Sequence, residues 1–101
     1  MSKYNAVKTT VDGIKFDSKK EARRYNALKL LEAAGEITEL SLQPRFDLIV
    51  NGVKCGFYKA DFRYDTPLES IVEDVKGMKT PIYNLKKKLV KAIYGIVIFE
   101  T

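Results

Sequence analysis

The chain has 101 residues, of which 46% are hydrophobic and 31% charged, and its formal net charge is +5 at pH 7. This composition is typical of an ordinary soluble globular domain, and the length suits a single domain over residues 1–101. The absence of histidine excludes Ser-His and Cys-His catalysis, histidine general bases and histidine-ligated zinc. Any chemistry must therefore rest on carboxylates, lysine, tyrosine or a metal held by oxygen ligands, and such ligands favour Mg²⁺, Mn²⁺ or Ca²⁺.

The single cysteine, Cys55, permits no internal disulfide, which predicts a reducing compartment. The sequence contains neither a secretory leader nor an apolar run of about 18 residues, the minimum for a membrane-spanning helix. We therefore expect a cytoplasmic protein with no membrane association. The positive charge favours a polyanionic partner such as DNA.

The N-terminal half predicts a hairpin followed by a helix. Asp12-Gly13 supplies the positive φ angles of a two-residue turn within Thr9–Phe16, so residues 1–17 form a hairpin arm and 18–101 the core. Ser18 caps a helix that runs to about Ala34 and ends at Gly35.

Strands and one further helix fill the rest of the chain. Asn51-Gly52 predicts a hairpin turn, Thr80-Pro81 a helix start and Tyr94-Gly95 its end. The predicted strands are Arg45–Val50, a second strand from the turn to about Tyr64 with a break at Gly56, Ile71–Lys76 and Ile96–Phe99. The last two strands and the helix between them predict a right-handed crossover between parallel strands. The predicted fold is α/β, with a mixed central sheet flanked by helices.

Charged residues interrupt the otherwise apolar strand Ile71–Lys76. Side chains alternate across a strand, so Asp74 and Lys76 share one face, and Glu73 lies on the other face unless a bulge brings it into the site. Buried charges are normally paired or bound to a metal. Glu73 is therefore either a salt-bridge partner or a site residue.

A metal-dependent phosphodiesterase site accounts for these charges. Asp61 and Asp74 would hold Mg²⁺ or Mn²⁺ together with the backbone carbonyl of Val75, and Lys76 would orient water or stabilise charge in the transition state. Asp61 could instead belong to an exposed strand face. Glu21 lies on the helix stripe that faces the sheet, either as the capping-box partner of Ser18 or as a third acidic group for the metal.

Basic residues on both helices could contact DNA phosphates or form a solvated surface. The candidate DNA-binding residues are Lys19, Lys20, Arg23, Arg24, Lys79, Lys86, Lys87 and Lys91. The predicted core stripe of the second helix is Ile82, Leu85, Leu89 and Ile93. We expect the tyrosines at positions 58, 64, 83 and 94 to lie in the core or at its rim.

The element order and the acidic residues resemble the PD-(D/E)XK nuclease superfamily, whose core order is helix, three strands, helix, strand (αβββαβ, restriction-endonuclease-like). The matching positions are Glu21, Asp61 and the triplet Asp74-Val75-Lys76. The stretches that carry the resemblance, which covers about 16–101, are Gly13–Ala22, Leu42-Gln43-Pro44, Tyr58–Phe62 and Val72–Gly77. More closely, they look like small phage-encoded endonucleases similar to Holliday-junction resolvases and transposon end-cleaving endonucleases. Two departures are Ala60 in place of the usual proline and Asp74 in place of the more frequent glutamate.

The resemblance implies a homodimeric endonuclease that cleaves DNA with Mg²⁺ or Mn²⁺, without an organic cofactor. The motif does not specify the substrate, and our hypothesis is branched DNA such as four-way junctions. The enzyme would act in the host cytoplasm if the chain is phage-encoded. Two other hypotheses stay open: a non-catalytic DNA-binding module on the same fold, and a protein-interaction subunit that is basic for solubility. Carboxylates beside phosphate weaken DNA binding unless a metal intervenes, which favours catalysis.

Overall fold

The computed structural model describes residues 7–75 and 79–101, which form a mixed α/β fold. The described elements, in chain order, are β1 (Thr9–Val11), β2 (Ile14–Phe16), α1 (Lys19–Ala33), β3 (Thr38–Leu42), β4 (Arg45–Val50), β5 (Val53–Lys59), β6 (Phe62–Asp65), β7 (Ser70–Asp74), α2 (Pro81–Tyr94) and β8 (Phe99–Glu100). Neither described helix is both long and apolar enough to span a membrane.

The N-terminal predictions are confirmed. β1 and β2 pair antiparallel around Asp12 and Gly13, which have φ angles of 53° and 74°. The Ser18 side chain accepts a hydrogen bond from the Glu21 N–H at 3.1 Å and so caps α1. Gly35 follows the helix with a φ of 79°, in the left-handed region that favours glycine after a helix end.

A long bent hairpin replaces the two strands predicted between Arg45 and Tyr64. β4 has the predicted bounds. β5 runs through Gly56 as one strand, but its pairing with β4 shifts register there, with Cys55 and Gly56 opposite Leu48, so the predicted break is an irregularity within the strand. The interruption falls at Ala60 and Asp61, and the facing strand is interrupted at Gln43 and Pro44, so β3 and β6 continue the pair formed by β4 and β5. Proline cannot donate a ladder hydrogen bond, which accounts for the change of direction there. β3 itself was not predicted, although Leu40 and Leu42 alternate with Glu39 and Ser41 as in a half-buried strand.

The main sheet has the strand order β3-β6-β7-β8. Its first three strands pair antiparallel, whereas β7 and β8 are parallel and are connected through α2, as predicted. β8 covers only Phe99–Glu100 rather than Ile96–Phe99, and of the predicted buried strand only Ile98 is buried. Residues 96–98 instead run beside α2.

Two apolar clusters form the core, one with each helix. The first joins α1 and the β1–β2 hairpin to Phe62 and Tyr64 of β6. The second joins α2 and the β4–β5 hairpin to Val72 of β7. Ile71 packs against the first cluster and its neighbour Val72 lies in the second, so the two helices cover opposite faces of β7.

The buried face of α2 differs from the predicted stripe. Thr80 caps the helix, Pro81 begins it and Gly95 ends it with a φ of 72°, all as predicted. However, Ile82 and Leu85 are 67% and 57% exposed. The buried residues are Tyr83 and Val90, with Leu89 and Ile93 packed beside them. Tyr83 faces inward because its hydroxyl donates a 2.6 Å hydrogen bond to Glu100, a pairing that hydrophobic periodicity does not register.

Candidate metal centre

Two adjacent carboxylates, Glu73 and Asp74, end strand β7, and both are 0% exposed. Because neighbouring strand residues point to opposite faces, they lie in different environments. Ionised carboxylates are costly to bury without compensation, so the partners of each one indicate its role.

Glu73 forms a closed ion pair on the face covered by α1. The Nε of Arg24 donates to its Oε2 at 2.6 Å, and Nη2 donates to Oε1 at 2.8 Å. The Tyr64 hydroxyl donates to Oε1 at 2.7 Å. The carboxylate raises the pKa of Arg24, and burial together with Glu73 raises the pKa of Tyr64 to about 12. Glu73 is therefore the salt-bridge partner of the two alternatives, and it ties β7 to α1.

Asp74 faces the α2 side, where its neighbours are a tyrosine and a second acid. The Tyr58 hydroxyl donates a short hydrogen bond to Oδ2 of Asp74. The Tyr83 ring lies 6.2 Å from the Tyr58 ring, centroid to centroid. Burial, followed by Asp74, raises the pKa of Tyr58, so this hydroxyl keeps its proton and remains a donor.

Asp61 lies in the bend before β6 and meets the end of β7. Its Oδ2 accepts the Val75 N–H at 2.7 Å, and its own N–H donates to the Glu73 carbonyl at 3.1 Å. Because β6 and β7 are antiparallel, the start of one and the end of the other share a sheet edge. Sequence positions 61 and 74 are thereby brought together, as predicted.

The two aspartates interact strongly. Burial, then a hydrogen bond and the charge of Asp74, raise the pKa of Asp61 to about 8, while the Val75 N–H opposes the shift. Two carboxyl groups this close cannot both ionise easily, so the pair retains a proton near neutral pH. A site that concentrates negative charge in this way suits a divalent cation.

Glu21 is buried in the first turn of α1, and its charge contributes to the raised pKa of Asp61. The Ser18 cap on its backbone N–H confirms the helix start. The same residue therefore serves the cap through its backbone and lies within electrostatic range of the aspartate pair through its side chain.

The donor set fits Mg²⁺ or Mn²⁺. Within residues 7–75 and 79–101, no group of three or more acidic, histidine or cysteine residues is arranged around a metal position. Mg²⁺ binds through only one or two protein carboxylates and takes its other ligands from water and phosphate, so Asp61 and Asp74 suffice as its acidic ligands. Lys76, the predicted catalytic lysine, lies outside the described residues.

The predicted DNA-binding residues divide into four groups, the last of which is Lys86 alone. Lys19, Lys20 and Arg23 are exposed at the start of α1, and Lys91 is exposed on α2. Lys79 and Lys87 lie 3.3 and 3.2 Å from Glu100. Arg24 is a correction to the predicted set, because its guanidinium turns inward to Glu73.

Lys86 belongs to a small aromatic cluster on the α2 side. Its ammonium lies 5.6 Å from the centroid of the Phe57 ring, and the Arg45 guanidinium lies 4.0 Å from the same ring. Two cations therefore lie over one exposed aromatic ring, and sequence spacing alone did not indicate Arg45 or Phe57.

Tyr58 is the site residue that sequence reasoning missed, since it was assigned to the core or its rim. Two signals were available: Tyr58 shares strand parity with buried Ala60, and it lies three residues before Asp61. A tyrosine buried beside an acidic position usually hydrogen-bonds to it. The hydroxyl contacts Asp74 rather than Asp61, and this depends on the bend of the hairpin, which the sequence did not predict.

Comparison with known proteins identifies the family of this chain. It belongs to the family described as a protein of unknown function (DUF1064), whose model matches residues 1–99. Comparisons with curated proteins and with solved structures gave no match.

Proposed function

We propose that this chain is a divalent-metal-dependent endonuclease that hydrolyses DNA phosphodiester bonds, selectively at branched DNA such as Holliday junctions. The observation that carries the proposal is the pair formed by half-buried Asp61 and fully buried Asp74, which lie side by side at one sheet edge with the pKa of Asp61 raised to about 8. Two carboxyl groups held this close are costly to ionise together, and strongly shifted pKa values of this kind are concentrated at functional sites.

The arrangement of elements supports a restriction-endonuclease-like core. Helix α1, the antiparallel strands β3, β6 and β7, helix α2 and the parallel strand β8 follow the αβββαβ order, with the β4–β5 hairpin as an extension. Asp61 directly precedes β6 and Asp74 ends β7, and the PD-(D/E)XK resemblance assigns its acids to the second and third core strands.

Each candidate site residue would have its own role in this mechanism. Asp61, Asp74 and the Val75 carbonyl would hold Mg²⁺ or Mn²⁺, and Glu21 is a further candidate ligand. When bound, the ion polarises the scissile phosphate and lowers the pKa of the attacking water. The Tyr58 hydroxyl orients the Asp74 carboxylate. Lys76 would orient the water or stabilise charge on the phosphate.

Positive residues would position the DNA backbone. Lys19, Lys20 and Arg23 project near the N-terminus of α1, whose dipole also attracts phosphate. The four-way junction and the homodimer that would hold its arms rest on the resemblance. We place the activity in the cytoplasm, that of the host if a phage encodes the chain.

A cleavage assay tests the proposal. A labelled four-way junction and a linear duplex of the same sequence are incubated with the protein in Mg²⁺, in Mn²⁺ and in EDTA, with the Asp74→Asn variant as a control for contaminating nucleases. We expect metal-dependent cuts in the junction that the variant does not make. Cleavage of both substrates would remove the junction selectivity, whereas salt-sensitive binding without cleavage would favour the non-catalytic module.

A further inference from the structure

The C-terminal part of α2 and the residues after it enclose a cleft that the proposed cleavage reaction does not use. Its volume is about 310 Å³, and it is lined by Asn84, Lys87, Lys88 and Lys91 of the helix and by residues 96–98. Lys87, Lys88 and Lys91 follow Asn84 by three, four and seven residues, so the four positions share one helical face. The cleft thus has a basic wall on one side and an apolar wall, Ile-Val-Ile, on the other.

The sequence forms this cleft through the turn at Gly95. With a φ of 72°, Gly95 ends α2, and its N–H donates to the Lys91 carbonyl at 2.9 Å. The left-handed residue reverses the chain, so residues 96–98 run beside the helix they have just left. Ile98 is buried beneath the cleft, whereas Val97 remains 67% exposed.

The basic wall concentrates positive charge. Lys87 and Lys91 are four residues apart and Lys88 and Lys91 three, spacings at which like charges destabilise a helix. Lys87 is positioned by Glu100 at 3.2 Å, whereas Lys88 and Lys91 are exposed. An anion between these lysines would relieve their repulsion, and Asn84 adds an amide that can both donate and accept hydrogen bonds.

Glu100 connects the cleft with the aspartate pair. It is paired in register with Asp74 across β7 and β8, and it accepts the Tyr83 hydroxyl at 2.6 Å. Glu100 also lies 3.2 Å from Lys87, so it stands between the basic wall and the strand end that carries Asp74.

We propose that this cleft binds a nucleotide of an unpaired DNA strand, an inference that rests on the proposed endonuclease function and adds to its substrate a strand that is opened at the branch point. Lys88 and Lys91 contact the phosphates, and the face of the base lies on Ile96 and Val97. An unpaired nucleotide is favoured because a paired base has its faces covered by stacking neighbours. A duplex would offer phosphates to the lysines and nothing to the apolar wall.

Binding in EDTA tests the cleft without any cleavage. Fluorescence anisotropy is measured with a labelled oligothymidine of about 12 nucleotides and with a blunt duplex of equal length, a range that covers typical single-strand site sizes. The variant K88Q/K91Q should bind oligothymidine about tenfold or more weakly, and the duplex at most about threefold more weakly. The matched control K15Q/K59Q removes two exposed lysines elsewhere and should weaken both substrates equally.

A second variant tests the contribution of the apolar wall to binding. Val97→Asn keeps the charge, so we expect oligothymidine affinity to fall about threefold while the dependence of affinity on salt stays unchanged. The proposal for the cleft would be contradicted if K88Q/K91Q lost affinity equally for single strand and duplex, or lost no affinity. Competition by polyglutamate as effective as by unlabelled oligothymidine would also contradict it, because it would show that the lysines respond to charge alone.

Different results would contradict the proposal for the cleft and the proposal for the endonuclease function. A protein that cuts DNA with Mg²⁺ but whose K88Q/K91Q variant binds oligothymidine normally keeps the nuclease and loses the cleft. A protein that shows the predicted binding losses but cuts no DNA keeps the cleft and loses the nuclease.

Discussion

Glu73 and Asp74 are neighbours on one strand, equally buried, and yet their surroundings are opposite in charge. Glu73 meets a guanidinium that forms two hydrogen bonds with it, and Asp74 meets a tyrosine hydroxyl and another carboxyl group. The first arrangement neutralises a charge within the protein. The second concentrates charge and leaves neutralisation to a proton or a cation, which is the difference expected between a structural and a functional acid.

Removing the cation from Glu73 should have the largest effect on stability. Arg24→Ala leaves a buried carboxylate without its ion-pair partner, and we expect a loss of about 3 kcal/mol, or more than ten degrees in Tm. The matched control is Arg23→Ala, which changes the exposed arginine beside it and should cost less than about 0.5 kcal/mol. Urea unfolding followed by circular dichroism measures both, and similar losses would contradict the distinction between the two arginines.

Substitutions of Asp74 and of Glu73 should have different effects on the rate of DNA cleavage. Asp74→Asn removes a candidate metal ligand, so we expect junction cleavage to fall at least about a hundredfold, because metal contributions are worth several kcal/mol. Glu73→Gln should stay within about tenfold per folded molecule, with its cost in stability instead. Rates are normalised to the folded fraction, measured by circular dichroism at the assay temperature. A Glu73→Gln protein as inactive as Asp74→Asn would place Glu73 in the site.

The sequence could assign residues where the assignment rested on local patterns, and it could not where the assignment depended on a distant residue. Asp61 and Asp74 could be assigned together because strand alternation and an acidic triplet are local patterns, and the sheet brings their positions to one edge. The role of Glu73 stayed open because it depended on Arg24, a residue 49 positions away that had been assigned to DNA. Tyr58 was missed for a similar reason.

The prediction of helices, turns and buried faces shows the same difference between local and distant contacts. Caps and turns such as Ser18, Asp12-Gly13 and Gly95 were predicted because each rests on a few adjacent residues. The buried face of α2 was not, because the stripe through Ile82 and Leu85 is apolar by composition while the fold buries Tyr83 through its bond to Glu100. Tertiary pairing decided what periodicity could not.

The tyrosine beside Asp74 should matter through the acid it orients. Tyr58→Phe keeps the ring and removes the hydroxyl, so we expect cleavage to fall about tenfold, in the range for residues that position a metal ligand. The apparent affinity for Mn²⁺, obtained from cleavage against Mn²⁺ concentration, should weaken as well. Tyr64→Phe is the matched control, since it removes the corresponding hydroxyl from Glu73. Equal effects on Mn²⁺ affinity would mean that the two hydroxyls do not differ in function.

The smallest expected effect has the opposite sign. In EDTA the pKa of Asp61 rises from 3.8 to about 8 on folding, so the folded chain binds this proton more tightly than the unfolded chain. The stability it contributes is complete below about pH 4 and is lost as the pH rises toward 8. Asp61→Asn removes that loss, so the variant should be more stable than the wild type at pH 8. We expect about 1–2 kcal/mol, less than the full shift would give, because solvent screens the half-buried Asp61. Thermal unfolding in EDTA at pH 5 and pH 8 measures the gap, which should widen with pH. A gap that narrows would mean that Asp61 is ionised and stabilised in the folded chain, and the contrast with Glu73 would no longer hold.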